Sequence, residues 1–129
     1  VRIPSGDART GLIDLMVIRQ LQFEEIGKAR AESANRSLAE YGKRRFPEYF
    51  AEHTDAALLA EAGTIRSRAQ GHDFQREDLV CSFLDLTIMY GPEFVDEPWA
   101  EPFLADASLM PEGRMDSILR HLRESGVEI

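Results

Sequence analysis

The sequence predicts an all-α protein, a single-domain bundle of four or five helices around a buried central helix at about residues 76–90. The segment DLVCSFLDLTIMY, residues 78–90, is apolar on nearly every side when it is wound as an α-helix, so other elements must cover it. The segments on both sides carry apolar residues at helical spacings, and no strand-like alternation occurs. A bilayer span needs about 20 apolar residues, which excludes the central helix as a membrane anchor.

The N-terminal part is predicted to contain an arm followed by the first helix. Residues 1–17 are rich in turn formers and read as a loosely ordered arm, which leaves 18–129 as the helical domain. The first helix is predicted from about Arg19 to Arg45, because Pro47 cannot continue it. Its apolar face consists of Phe23, Ile26, Ala34, Leu38 and Tyr41.

A short helical turn at 47–50 is expected to precede the second long helix. Thr54 or Asp55 can cap that helix, which extends to Gln70, and Gly71 is expected to take the left-handed position just after its end. Its apolar stripe is formed by Leu58, Ala62, Ile65 and Ala69.

The chain after the central helix is predicted to be irregular before one last helix. Gly91 and Pro92 stop the central helix, and the prolines at 92, 98 and 102 exclude a long helix there. One or two turns are expected at 99–105. The final helix begins near Pro111, carries a stripe of Met115, Ile118, Leu119 and Leu122, and ends at Gly126.

Charge is distributed unevenly and argues against a nucleic-acid partner. The net charge is −8; residues 1–50 hold nine Lys and Arg against seven Asp and Glu, and residues 51–129 hold six against sixteen. Nucleic-acid binding requires a basic face, and the single basic cluster, Lys43-Arg44-Arg45, accompanies an acidic remainder. We expect no nucleic-acid partner.

Cysteine and histidine usage predicts a fold without metal, cofactor or disulfide. Cys81 is the only cysteine and lies in the most apolar helix, where we expect a buried, unreactive thiol in a bacterial cytoplasm. His53, His72 and His121 are too scattered for a zinc site. No signal-peptide layout and no phosphate, dinucleotide or nucleophile motif occurs, so we expect no membrane insertion and a protein that is not an enzyme.

The segment from 93 to 103 is the predicted partner-binding site. It combines carboxylates, aromatic rings and prolines, which restrict the backbone before binding, as in interface hot spots with a polar rim. The alternative is that its rings simply cover the core while its acids are solvated. The candidate residues are Glu93, Phe94, Asp96, Glu97, Trp99, Glu101 and Phe103.

Three blocks of the sequence resemble a known group of proteins. They are IRQLQF at 18–23, RRFPEYF at 44–50, and the long block from GHDF at 71 through GPEFVDEPW to HL at 122. Their order is similar to that of small bacterial proteins encoded beside type VI secretion effectors and spike components. This chain departs from that pattern with Phe23 in place of Met, with its linker at 71–74, and with Val95 inserted before Asp96.

The resemblance implies an accessory role in effector handling or toxin neutralisation and transfers no catalytic residue. We therefore expect an adaptor or chaperone-like interaction module whose partner is an effector, toxin or spike component. An immunity protein is the alternative, because the acidic half suits a basic toxin. A small hydrolase or toxin that uses the carboxylates of 93–101 is the second alternative.

Overall fold

The computed structural model describes residues 27–127, and every regular element in that range is helical. The elements are α1 over 27–45, α2 (Pro47–Phe50), α3 (Asp55–Gly71), α4 (Glu77–Tyr90), a 3-10 helix (Pro92–Asp96), α5 (Glu101–Leu104) and α6 (Pro111–Glu124). The predicted all-α class is confirmed, as is the position of the central helix.

Backbone contacts divide the chain into two compact units, Val1–Ala34 and Asn35–Ile129. The described part of the first unit is the helical stretch 27–34. The predicted arm at 1–17, the predicted helix start at Arg19 and the apolar positions Phe23 and Ile26 lie outside the described residues.

The central position of α4 follows from its apolar composition. It packs against α3, the 3-10 helix and α6. Its fully covered side chains come from successive turns and include Leu79, Val80, Phe83, Leu84 and Leu86. Gly91 takes a left-handed φ of 90°, which a glycine reaches without strain, and this residue ends the helix as predicted.

The structure ends α3 one residue later than predicted and places the left-handed residue two residues later. Thr54 is its N-cap, because its side chain accepts a hydrogen bond from the Ala57 amide at 3.1 Å. Gly71 belongs to the helix, and the left-handed residue is Asp73, with a φ of 67°. The Phe74 amide then bonds the Ala69 carbonyl at 3.0 Å, a Schellman ending that buries Phe74 as its apolar contact.

Helix α6 begins at Pro111 and presents its predicted stripe to the core. Met115, Ile118 and Leu122 are buried, and Leu119 is half-buried against the same core. Gly126 has a φ of 90° and ends the helix with a second Schellman motif, in which the Val127 amide bonds the Leu122 carbonyl at 3.0 Å.

The C-terminal part of α1 approaches α2 and α4 closely. Leu38 and Ala39 are buried there. A Cβ placed on Gly42 would lie 3.0 Å from the Phe50 ring and 3.4 Å from a Leu84 methyl group. Glycine at 42 thus permits this close approach, because a larger residue would require the Phe50 and Leu84 side chains to shift.

Candidate partner-binding site

The structure separates the seven predicted partner-binding residues into three environments. Glu93, Asp96, Glu97 and Glu101 are exposed. Trp99 and Phe103 are half-buried against the core. Phe94 is 1 % exposed and belongs to the core itself, so its side chain offers no surface to a partner.

Phe94 anchors this segment because its ring lies on the central helix. Its ring centroid is 5.2 Å from that of Phe83 and 6.4 Å from that of Trp99. Interior packing of this kind gives the short 3-10 helix a fixed position that its five residues alone would not supply. Phe94 is thus a positioning residue for the exposed acids beside it.

The backbone of the segment is held by local hydrogen bonds and one contact from α3. The Phe94 amide bonds the Gly91 carbonyl at 3.2 Å, and the Glu97 amide bonds the Phe94 carbonyl at 3.1 Å. The Arg68 guanidinium donates to the carbonyl oxygen of Pro92. These hydrogen bonds connect the segment to the end of α4 and to α3.

Tyr90 joins Trp99 at the surface, although the sequence places it inside the predicted buried helix. It is the last residue of α4 and is 38 % exposed. The two ring centroids are 5.4 Å apart in an edge-to-face arrangement. On its other side Trp99 stacks on His121 of α6 at 6.1 Å, and His121 also contacts Phe103. We call residues 90–103 the acidic–aromatic segment.

The carboxylates of the acidic–aromatic segment differ in their ion pairing from several acids of α4 and α6. The paired acids of those two helices are Asp78 and Glu112 with Arg76, Glu77 with Arg66, and Asp116 with Arg120. Within residues 27–127, none of the four exposed acids of the acidic–aromatic segment forms an ion pair. Their negative charge is therefore uncompensated and can act on a charged partner.

Cys81 is half-buried on α4, less covered than predicted. Burial first, and then the nearby carboxylates of Glu77 and Asp85, raise the pKa of its thiol to about 11. A thiol with this pKa is protonated near neutral pH and is a poor nucleophile.

A cluster of titratable side chains lies where α2 meets α3. The Tyr49 hydroxyl donates to Glu61 at 2.7 Å, and His53 Nε2 lies 2.8 Å from the other oxygen of the same carboxylate. An open cavity of about 490 Å³ adjoins Tyr49 and His53. The cluster joins the two elements and brings no nucleophile to the histidine, so we assign it a structural role.

Within residues 27–127 the structure contains neither a metal-binding group of side chains nor a helix that could cross a membrane. Over 27–127 no group of three or more His, Cys, Asp or Glu is arranged to hold a metal ion. In the same range no helix combines the length and apolarity that a bilayer crossing requires.

Comparison of the chain with protein-family models, with curated proteins and with solved structures finds no match.

Proposed function

We propose that this protein is a non-enzymatic protein–protein interaction module that binds a basic partner protein through the acidic–aromatic segment. One observation supports the proposal most strongly. Four exposed carboxylates that form no ion pair within residues 27–127 lie close in sequence to the half-exposed ring pair of Tyr90 and Trp99. Aromatic anchors with a charged rim are the usual composition of binding hot spots, and unpaired charge of one sign favours partners of the other.

The biological setting that we propose rests on the sequence resemblance to small bacterial proteins encoded beside type VI secretion effectors. In this setting the protein is an adaptor or chaperone-like accessory of a secretion-associated effector, located in the bacterial cytoplasm. An immunity protein that neutralises a toxin is the second candidate, because the six Lys and Arg against sixteen Asp and Glu in residues 51–129 suit a basic toxin surface. We find no observation that favours the hydrolase alternative.

A charge-reversal experiment tests the binding site. Wild-type protein is affinity-purified from its native host, captured proteins are identified by mass spectrometry, and each is then purified for titration against variants. Because the exposed acids attract a basic surface, Glu97→Lys/Glu101→Lys should weaken binding at least about tenfold and reduce its dependence on salt. The melting temperature should stay unchanged.

A matched control separates the site from net charge. Glu48→Lys/Glu52→Lys makes the same change in charge at two exposed acids four residues apart, and those acids also form no ion pair within 27–127. The control should bind as the wild type does. Equal binding by wild type and the 97/101 variant would exclude the acidic–aromatic segment as the interface.

The identity of the captured protein distinguishes the two settings. An adaptor should capture an effector or spike component and should leave that protein's activity intact. An immunity protein should capture a toxin and should inhibit it at equimolar concentration.

A further inference from the structure

The central helix carries one carboxylate on its buried side. Asp85 is 6 % exposed and lies between Leu84 and Leu86, which are more deeply buried still. An ionised carboxylate in apolar surroundings is unstable unless charges and hydrogen-bond donors compensate it. The groups around Asp85 therefore decide which of its two protonation states is favoured.

The compensating groups come from α1. The Tyr41 hydroxyl lies 2.9 Å from one carboxylate oxygen of Asp85 and 3.0 Å from the other. The Arg45 Nε lies 3.7 Å away on a side chain that is 41 % exposed. A tyrosine has a single proton to donate, so the carboxylate form receives one neutral hydrogen bond and a salt bridge at 3.7 Å from a partly exposed cation.

Burial of Asp85 favours the protonated carboxyl over the carboxylate. The protonated carboxyl can donate its own proton to the Tyr41 oxygen while its carbonyl oxygen accepts from a donor, and it needs no counter-charge. Among the described residues, the charged and titratable groups that act on this carboxyl are Tyr41 and Arg45 of α1, with Cys81 one turn earlier on α4.

We propose that Asp85 and Tyr41 form a proton-sensitive clasp between α4 and residues 35–45 of α1, which holds α1 more firmly when the carboxyl is protonated. This inference does not depend on the proposed binding function. It gives the protein a conformational response to mild acid, located at the attachment of one helix.

The direction of the pH effect follows from linkage. Burial raises the pKa of Asp85, against the lowering effects of the Tyr41 hydrogen bond and the Arg45 charge. When α1 is released, the carboxyl is hydrated and its pKa returns to the ordinary value, so the attached state binds more protons. Attachment of α1 is thus strongest below the ordinary pKa of Asp85 and weakens as pH rises through its raised pKa. The attachment equilibrium constant falls in total by about tenfold for each pKa unit that separates the two values.

Hydrogen exchange measured by mass spectrometry tests the clasp in the intact chain. The protection of amides at 38–45 is divided by that at 115–122 in α6, after correction for intrinsic exchange, to give a protection ratio from about pH 3.5 to about pH 7.5, a range that begins below the ordinary aspartate pKa. The protection ratio in the wild type should fall as pH rises. Asp85→Asn keeps the shape without the titrating group, so its ratio should be independent of pH. Asp96→Asn, at an exposed acid, should behave as the wild type.

A second measurement on the wild type keeps the test valid if Asp85→Asn does not fold. The Cγ chemical shift of Asp85 should titrate in NMR spectra with a midpoint above the ordinary aspartate value of about 3.9. A midpoint at or below that value would overturn the proposal. Identical pH profiles of the protection ratio in the wild type and Asp85→Asn would also overturn it.

Discussion

Two single residues, Cys81 and Asp73, occupy environments that change their ordinary properties. The thiol of Cys81 is half-buried beside carboxylates, and its pKa is raised to about 11. Asp73 ends α3 in a left-handed conformation that residues with a side chain adopt at a cost. Each change makes a measurable difference to reactivity or stability.

Cys81 should react slowly with alkylating reagents in the folded protein. A pKa of about 11 instead of 9.0 lowers the thiolate fraction at pH 8 about a hundredfold, and thiolate is the reacting species. Labelling should therefore be about a hundredfold slower in native protein than in urea-unfolded protein. Similar labelling rates in both states would show that the fold neither shields the thiol from the reagent nor raises its pKa.

Asp73 and Gly126 occupy the same left-handed position in the two Schellman motifs, so substituting each residue by the other type should change stability in opposite directions. A left-handed residue with a side chain costs about 1–2 kcal/mol, while glycine loses about 0.5–1 kcal/mol more chain entropy on folding. Asp73→Gly should thus raise the free energy of unfolding by at most about 1 kcal/mol, since the Asp73 carboxylate also lies 3.9 Å from the Arg114 guanidinium, and Gly126→Asp should lower it by about 0.5–1 kcal/mol. Urea denaturation measures both, and changes of the same sign in the two variants would contradict this account.

At the scale of elements, a buried arginine joins three helices. Arg66 of α3 donates through Nε to Asn35 of α1 at 2.8 Å, and its two terminal nitrogens bind both carboxylate oxygens of Glu77 in α4, at 2.8 and 2.9 Å. The planar guanidinium alone has the geometry to make this pair of parallel bonds while a third donor points elsewhere.

Arg66→Lys should test the geometry without changing the charge. The ammonium group cannot bridge Asn35 and both oxygens of Glu77, so we expect a loss of about 1.5–3 kcal/mol in unfolding free energy. Arg120→Lys is the control, since Arg120 makes an exposed pair with Asp116 and should change stability by less than about 0.5 kcal/mol. An equal loss of unfolding free energy in the two variants would contradict a specific structural role for the Arg66 guanidinium.

At the scale of the whole molecule, several groups hold their protons more tightly in the folded state. The pKa values of Tyr41 and Tyr49 are raised, Tyr41 chiefly by burial and Tyr49 chiefly by its hydrogen bond to Glu61, and that of Cys81 is raised by burial. The folded chain therefore binds more protons than the unfolded chain in alkaline solution. Its stability is fully present below the ordinary pKa values of these groups and decreases above them.

Unfolding free energy should accordingly decline as pH rises above about 9. Tyr41→Phe and Cys81→Ala each remove one titrating group, so each should make the decline less steep in urea titrations from about pH 7 to about pH 10.5. Tyr90→Phe is the control, because the Tyr90 hydroxyl has no carboxylate partner within 27–127. A decline of unchanged steepness in the first two variants would contradict the assignment.

Helix positions and ends were predictable because they depend on residues close in sequence. The apolar run before Gly91 and Pro92 indicates α4, the hydroxyl of Thr54 precedes α3, and Pro111 opens α6. One end was wrong by two residues, since Asp73 and not Gly71 takes the left-handed position. A large buried side chain, that of Phe74, determines this choice, and its burial is a tertiary property.

The acidic–aromatic segment was recognisable by composition, but its surface was decided by packing. Phe94, a candidate partner-binding residue, lies in the core, and Tyr90, which was assigned to the buried central helix, lies at the surface. Similarly, Asp85 and Arg66 find partners 44 and 31 residues away in the chain, at Tyr41 and Asn35. Periodicity records how apolar residues are arranged around one helix, and it contains no information about which distant side chain will meet a buried polar group.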